Sequence, residues 1–219
     1  DTGGGALFCG TPKGIGNWAY DIFQQSHKDP KHWASFQYTT LEGGQVEDSE
    51  IQQAREDLDS KTFKQEYEAS FETYSGQVYY NYGAHTITQD KPQIPNQILI
   101  GMDFNIDPMS ACIATRTQNG LIIFDEITIF GSNTDEMVQE IRNRYKKQQI
   151  VVYPDPASRQ RKTSAGGRTD LSILVNAGFR IHSRPSHPAV RDRINAVNSA
   201  LQSAEGKQKL WITPNCKNV

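Results

Sequence analysis

The sequence predicts an α/β fold in which three antiparallel strands are followed by alternating helix and strand units. Two observations carry this. Three short β-rich runs, "ILIGMDF", "SACIATR" and "LIIFDEITIF", follow one another between residues 98 and 130 with only turn-forming residues between them. Beyond residue 134, helical and extended apolar periodicities alternate to the end of the chain. With 219 residues the chain is long enough to bury an ordinary core.

Each element has a local reason. "NIDPM" and "TQNG" separate the three runs, and the Asn119-Gly120 step suits a tight hairpin turn, so the runs form an antiparallel meander. "TDEMVQEIRNRYKKQ" aligns Met137, Val138, Ile141 and Tyr145 on one helical face, with Thr134 as the expected N-cap and lysines in the last turn, where the helix dipole favours them. "QIVVYPD" reads as a buried strand, "TDLSILVNAG" as a short helix closed by Gly178, and "FRIHS" as a strand. "AVRDRINAVNSALQ" is a helix with Val190, Ile194, Val197 and Leu201 in line, and "KLWIT" is a last strand.

The chain before this region has a different texture. It starts in a Gly-rich turn, "DTGGGALFCGTPKGIGNW", and runs into polar helical sequence. "DSEIQQAREDL" and "SKTFKQEYEASF" form a helical hairpin, with Asp48 or Ser49 and Ser60 as expected N-caps. "HTITQDKPQIPNQ" holds two prolines and few large apolar groups, which makes residues 84–97 a linker. The expected division is therefore 1–83, a linker at 84–97, and 98–219.

Several classes are excluded. No apolar run approaches the roughly 20 residues that span a bilayer, and the first residues lack the regions of a signal peptide. Cys9, Cys112 and Cys216 are odd in number and far apart, as expected of reduced thiols. The formal net charge of −2 argues against a chain permanently coated by nucleic acid. "GGRT" is not a P-loop, since Arg168 stands where the pattern needs lysine and Lys162 where it needs glycine. No G-x-S-x-G elbow supports a serine hydrolase.

Right-handed crossover places "QIVVY" parallel to and near "ILIGM", so Asp103 and Asp155 close neighbouring strands at the rim where open α/β sheets carry their sites. Two such carboxylates repel, and a hard divalent cation with oxygen ligands relieves that repulsion. Mg²⁺ or Mn²⁺ held there suits phosphodiester hydrolysis. The alternative for Asp103 is a strand-end turn residue bonded to the amides of Asn105 or Ile106, and for Asp155 the turn chemistry of "PDP". Asp107 reads as a turn former; only one of Asp125 and Glu126 can point inward from its strand, and each reads either as a further ligand or as a solvent-exposed acid. The strip "ASRQRKTSAGGR" carries Arg159, Arg161, Lys162 and Arg168 without an acid, which suits either a phosphate-gripping loop or a solvated one. His182 and His187 match no zinc spacing and read as loop histidines.

These residues resemble the large terminase subunit of tailed bacteriophages over essentially the whole chain. "ALFCGTPKG" resembles the coupling segment at the end of the family's ATPase domain, and "DSKTFKQEYEASFETYSGQVYYNY" the stretch that leaves it. "IGMDFNIDPMSA" resembles the first nuclease strand, with Asp103 at the first metal-binding aspartate, and "VVYPDPAS" the strand that brings the second, at Asp155. The resemblance implies an RNase H-like mixed sheet flanked by helices and preceded by a helical remnant of an ATPase domain. It further implies a two-metal Mg²⁺ or Mn²⁺ endonuclease that cuts concatemeric double-stranded viral DNA in the host cytoplasm, transiently on the procapsid, beside the portal protein and the small terminase subunit. The family's phosphate-binding loop would lie before Asp1 and its third acid after Val219. The chain is therefore expected to be a piece cut at both ends, with ATP a cofactor of the full-length motor only. Rival implications are a non-catalytic docking module of that motor and an RNase H-like resolvase or transposase.

Overall fold

Three strands, β1 (Gln97–Asp103), β2 (Met109–Arg116) and β3 (Leu121–Ile129), pair antiparallel in the order in which they occur. The computed structural model describes residues 3–73, 76–89, 92–93, 96–155, 169–184, 186 and 188–219. Its described residues divide into two compact units, one made of residues 1–82 with 191–208 and the other of 83–190 with 209–219.

The second unit is built on the sheet. Helix α5 (Thr134–Arg144) leads from β3 to β4 (Gln149–Pro154), which lies parallel to β1, and α6 (Asp170–Asn176) leads on to β5 (Arg180–Ile181), parallel to β4. A final strand, β6 (Leu210–Ile212), pairs parallel with β3, giving the order β5-β4-β1-β2-β3-β6. A three-stranded antiparallel meander extended by parallel strands beside β1 is the RNase H-like mixed sheet.

Alternation along the strands decides which face the helices cover. Ile98, Ile100 and Met102 of β1, Ile113 of β2 and Val152 of β4 point to one face and pack with Met137 and Ile141 of α5, with Tyr145 at its C-cap, and with Leu174 and Phe179. Each such apolar side chain, removed fully from water, contributes roughly 1.5–3 kcal/mol. The register of β3 shifts between Ile113 and Ala114 of its partner, so Phe124 is an extra residue and stands edge-on to Tyr145 at a centroid distance of 6.2 Å.

The N-cap of α5 differs from the expected one by one residue. Asn133, not Thr134, caps the helix by accepting from the Glu136 amide at 3.0 Å, and the freed Thr134 hydroxyl donates instead to buried Asp170 at 2.6 Å. Gly178 closes α6 as expected, with φ of +78°.

The first unit contains α1 (Trp18–Lys28), α2 (Thr40–Gly43), α3 (Asp48–Asp57) and α4 (Ser60–Tyr67). The first of these was not expected: Asn17 caps it through the amides of Ala19 and Tyr20, and its Tyr20 and Phe23 rings each lie 5.1 Å from Phe71. The caps of the hairpin also move, since Glu47 precedes α3 without a side-chain bond and Asp59, not Ser60, caps α4.

Helix α7 (Val190–Leu201) follows β5. From Arg191 to Gln208 the chain groups with residues 1–82. The reason is polar as well as apolar. Asn198 is fully buried, its Nδ2 donates to the Val78 carbonyl at 2.9 Å, and its Oδ1 accepts from the Asn81 amide at 3.2 Å. The turn after the helix adds backbone bonds from Ala204 to Leu58 at 2.7 Å and from Glu205 to Arg55 at 2.9 Å. Leaving buried backbone groups unpaired costs about 1–3 kcal/mol. Asn198→Ala is therefore expected to destabilise the first unit by about 2 kcal/mol, read as a lowered urea midpoint with an unchanged slope.

Candidate metal and nuclease site

Strand register builds the site. Met102 of β1 lies opposite Pro154 of β4, and the Asp155 amide continues the ladder by donating to the Met102 carbonyl at 3.2 Å. The next residues on the two strands are Asp103 and Asp155, neighbours across a spacing of about 4.8 Å. Because Met102 and Val152 point into the core, Asp103 and Asp155 emerge together on the opposite face. Asp103 is exposed and Asp155 half-buried.

Local packing fixes the ends of both strands. Gly101 lies opposite Cys112, and a Cβ added to it would come within 2.9 Å of the Cys112 sulfur. Glycine there lets β2 lie close beside Asp103, whose partner across that ladder is Ser110. Burial pushes the Cys112 thiol above its ordinary range, and all three cysteines are free thiols. The Asn105 side-chain amide donates to Asp103 Oδ2 at 2.9 Å, so the bond expected from a loop amide comes from a side chain. Asp107 sits in the turn with Pro108, and its side chain accepts from the Gly131 amide, 24 residues on, at 3.3 Å.

The two acids of β3 have other work. Asp125 faces the helices, where it accepts from Arg144 at 3.0 Å and from the Tyr145 hydroxyl at 2.6 Å; burial, then this bond, pushes the Tyr145 hydroxyl well above its ordinary range. Glu126 faces the other way and binds the end of the chain, accepting from the amides of Lys217 and Asn218, both at 2.9 Å, and from the Asn218 side chain at 2.9 Å. Sequence spacing leaves both open as ligands, because Arg144, Tyr145, Lys217 and Asn218 lie 19–92 residues away.

His182 lies two strands from Asp103, its ring stacked on Tyr153 at 5.2 Å. His187, Arg159, Arg161, Lys162 and Arg168 lie outside the described residues. Among the described residues no group of three His, Cys, Asp or Glu side chains could hold a metal ion. The donor set is thus two carboxylates on adjacent strand ends. Two hard oxygen donors on one face fit Mg²⁺ or Mn²⁺, ions that bind through one or two carboxylates and retain several waters. No described helix is long and apolar enough to cross a membrane.

No protein-family model matches the chain. The large terminase subunit of Escherichia phage T5 is 24% identical over 229 residues, which cover 98% of this chain and 48% of that protein. Among solved structures, the large terminase of a thermophilic bacteriophage in complex with ATP-γ-S superposes with a TM-score of 0.68 at 13% identity, over 94% of this chain and 51% of that one. This chain resembles the large terminase subunit in sequence and in fold. A second crystal form of that thermophilic phage terminase gives a TM-score of 0.67 at 14% identity, over 94% of this chain and 50% of that one. The chain spans about half the length of the terminases it matches.

The contacts of Glu126 identify it as an anchor for the terminase-like chain's last residues. Glu126→Ala is expected to speed hydrogen exchange of the Lys217 and Asn218 amides by about tenfold or more while leaving the amides of β1 and β4 protected.

Proposed function

We propose that the chain is the nuclease portion of a viral DNA-packaging motor, a divalent-metal-dependent endonuclease in which Asp103 and Asp155 hold Mg²⁺ or Mn²⁺. The observation that carries this reading is the placement of the two carboxylates at adjacent parallel strand ends on one face. Two unit charges about 5 Å apart repel by on the order of 1–3 kcal/mol, depending on screening. A bound divalent cation offsets that repulsion and supplies Lewis-acid polarisation of a phosphodiester.

The remaining roles fall to the chain. Asp103, with Asn105 fixing one of its oxygens, orients the ligand set from β1, and Asp155 does so from β4. The substrate is concatemeric double-stranded viral DNA, cut with slight sequence preference because phosphate contacts position a duplex without reading its bases. The reading includes the portal protein and the small terminase subunit as partners and the host cytoplasm, with transient residence on the procapsid, as location. Residues 1–83 correspond in it to the end of the ATPase domain, and ATP serves the whole motor. Likeness to the large terminases of phage T5 and of the thermophilic phage supports this reading.

Plasmid nicking in Mn²⁺ or Mg²⁺ is the direct test: Asp103→Asn should lower the rate at least about 100-fold, and undiminished nicking refutes the assignment. Separately, Mn²⁺ should raise the melting temperature of the chain, and Asp155→Ala should abolish that shift. A docking module without a metal site would show no shift in either form.

A further inference from the structure

The sheet face that carries Asp103 and Asp155 is a grid set by register. Two residues back from the carboxylates stand Gly101 and Tyr153, with His182 stacked on the latter at 5.2 Å. Two residues further stand Leu99 and Val151, the latter paired with Arg180 of β5. Arg116, at the end of β2, lines the same face.

These side chains enclose a groove of about 360 Å³, with Leu99 and Val151 as its floor and Arg116, Arg180 and the Tyr153–His182 ring pair around it. Tyr153 is 39% exposed, and both arginines are exposed. Neither arginine forms an ion pair among the described residues. A second concavity of about 360 Å³ shares Arg116 and adds Lys209, so positive charge continues around the β2–β3 turn. Of the acids facing this way, Glu126 is taken up by the chain's last residues, and Asp103 and Asp155 stand at the far end.

We propose that this groove is a track for the backbone of one strand of duplex DNA, with Arg180 and Arg116 each taking a phosphate on one side of the bond held over Asp103 and Asp155. The proposal rests on the nuclease reading above. Spacing supports it. From Asp155 to Val151, level with Arg180, is about 13 Å at 3.3 Å per residue, or about four nucleotide steps at 3.4 Å. From Asp103 to Gln97, at the end where Arg116 stands, is about 20 Å, or about six steps. Six steps, about 20 Å, are little more than half of a duplex turn, the length over which one strand keeps facing a flat surface. The ring pair between the arginines and the carboxylates offers a flat apolar contact for the sugars.

The test is fluorescence polarisation of a labelled duplex of about 20 bp, roughly two helical turns, with the 219-residue chain, in EDTA so that nothing is cut, over a series of KCl concentrations. The double substitution Arg116→Ala with Arg180→Ala should weaken binding roughly tenfold and reduce the slope of log K against log salt by about 1.8, the value for two phosphates. The charge-conserving pair Arg116→Lys with Arg180→Lys should retain the slope, which separates lost contacts from lost folding. Asp103→Asn should bind DNA at least as tightly as the unaltered chain. No duplex binding by the unaltered chain, an unchanged slope in the alanine pair, or equal loss in the lysine pair overturns the track, and an unchanged slope is the result expected where a protein segment covers this face. Nicking that survives Asp103→Asn overturns the nuclease reading instead, whatever the binding data show.

Discussion

The parallel ladder between β1 and β4 is the constraint on which the rest depends. Ile98 to Met102 pair with Ile150 to Pro154 without a slip, and a shift of one residue would turn either aspartate into the core beneath α5 and α6. The apolar side chains that hold the register are the alternate neighbours of the residues that define the site. Burial on one face therefore specifies chemistry on the other, and the hydrophobic term sets a geometry that two like charges would by themselves disfavour.

The rim above that ladder is stiffened from the helix side. Helices α5 and α6 both start there, and the buried bond from Thr134 to Asp170 ties their first turns together. Thr134 can do this because Asn133 has taken over the capping of α5. Polar groups beside Asp103 are engaged as well: the Asn105 side chain with Asp103 itself, and Asp107 with Gly131. An ion entering between Asp103 and Asp155 would meet a rim already set in place, which limits the ordering cost of binding.

Much of this was legible in the sequence where the signal is local. The period-two runs of β1 and β2 and the apolar stripe of α5 each match an element of the structure, and Asp103 and Asp155 could be placed at strand ends because crossover handedness leaves little choice. The caps show where local reading stops, since Asn133 and Thr134 are both good caps and only the distant Asp170 decides between them. Helix α1 was missed because its apolar face is largely aromatic and closes on Phe71, which is remote in sequence. The partners of Glu126 and Asn198 are likewise remote, and no spacing rule could have revealed them.

The return of residues 191–208 to the first unit also governs how the chain can assemble. As a ribosome lengthens the chain, residues 1–82 emerge with part of their interior still unmade, and the five strands β5-β4-β1-β2-β3 are complete before the piece that finishes the earlier unit exists. Only then does β6 arrive to take the edge beside β3. Maturation is thus interleaved: the unit begun first is not the one whose strands are ready first, and residues 209–219 seal the sheet after both have been threaded.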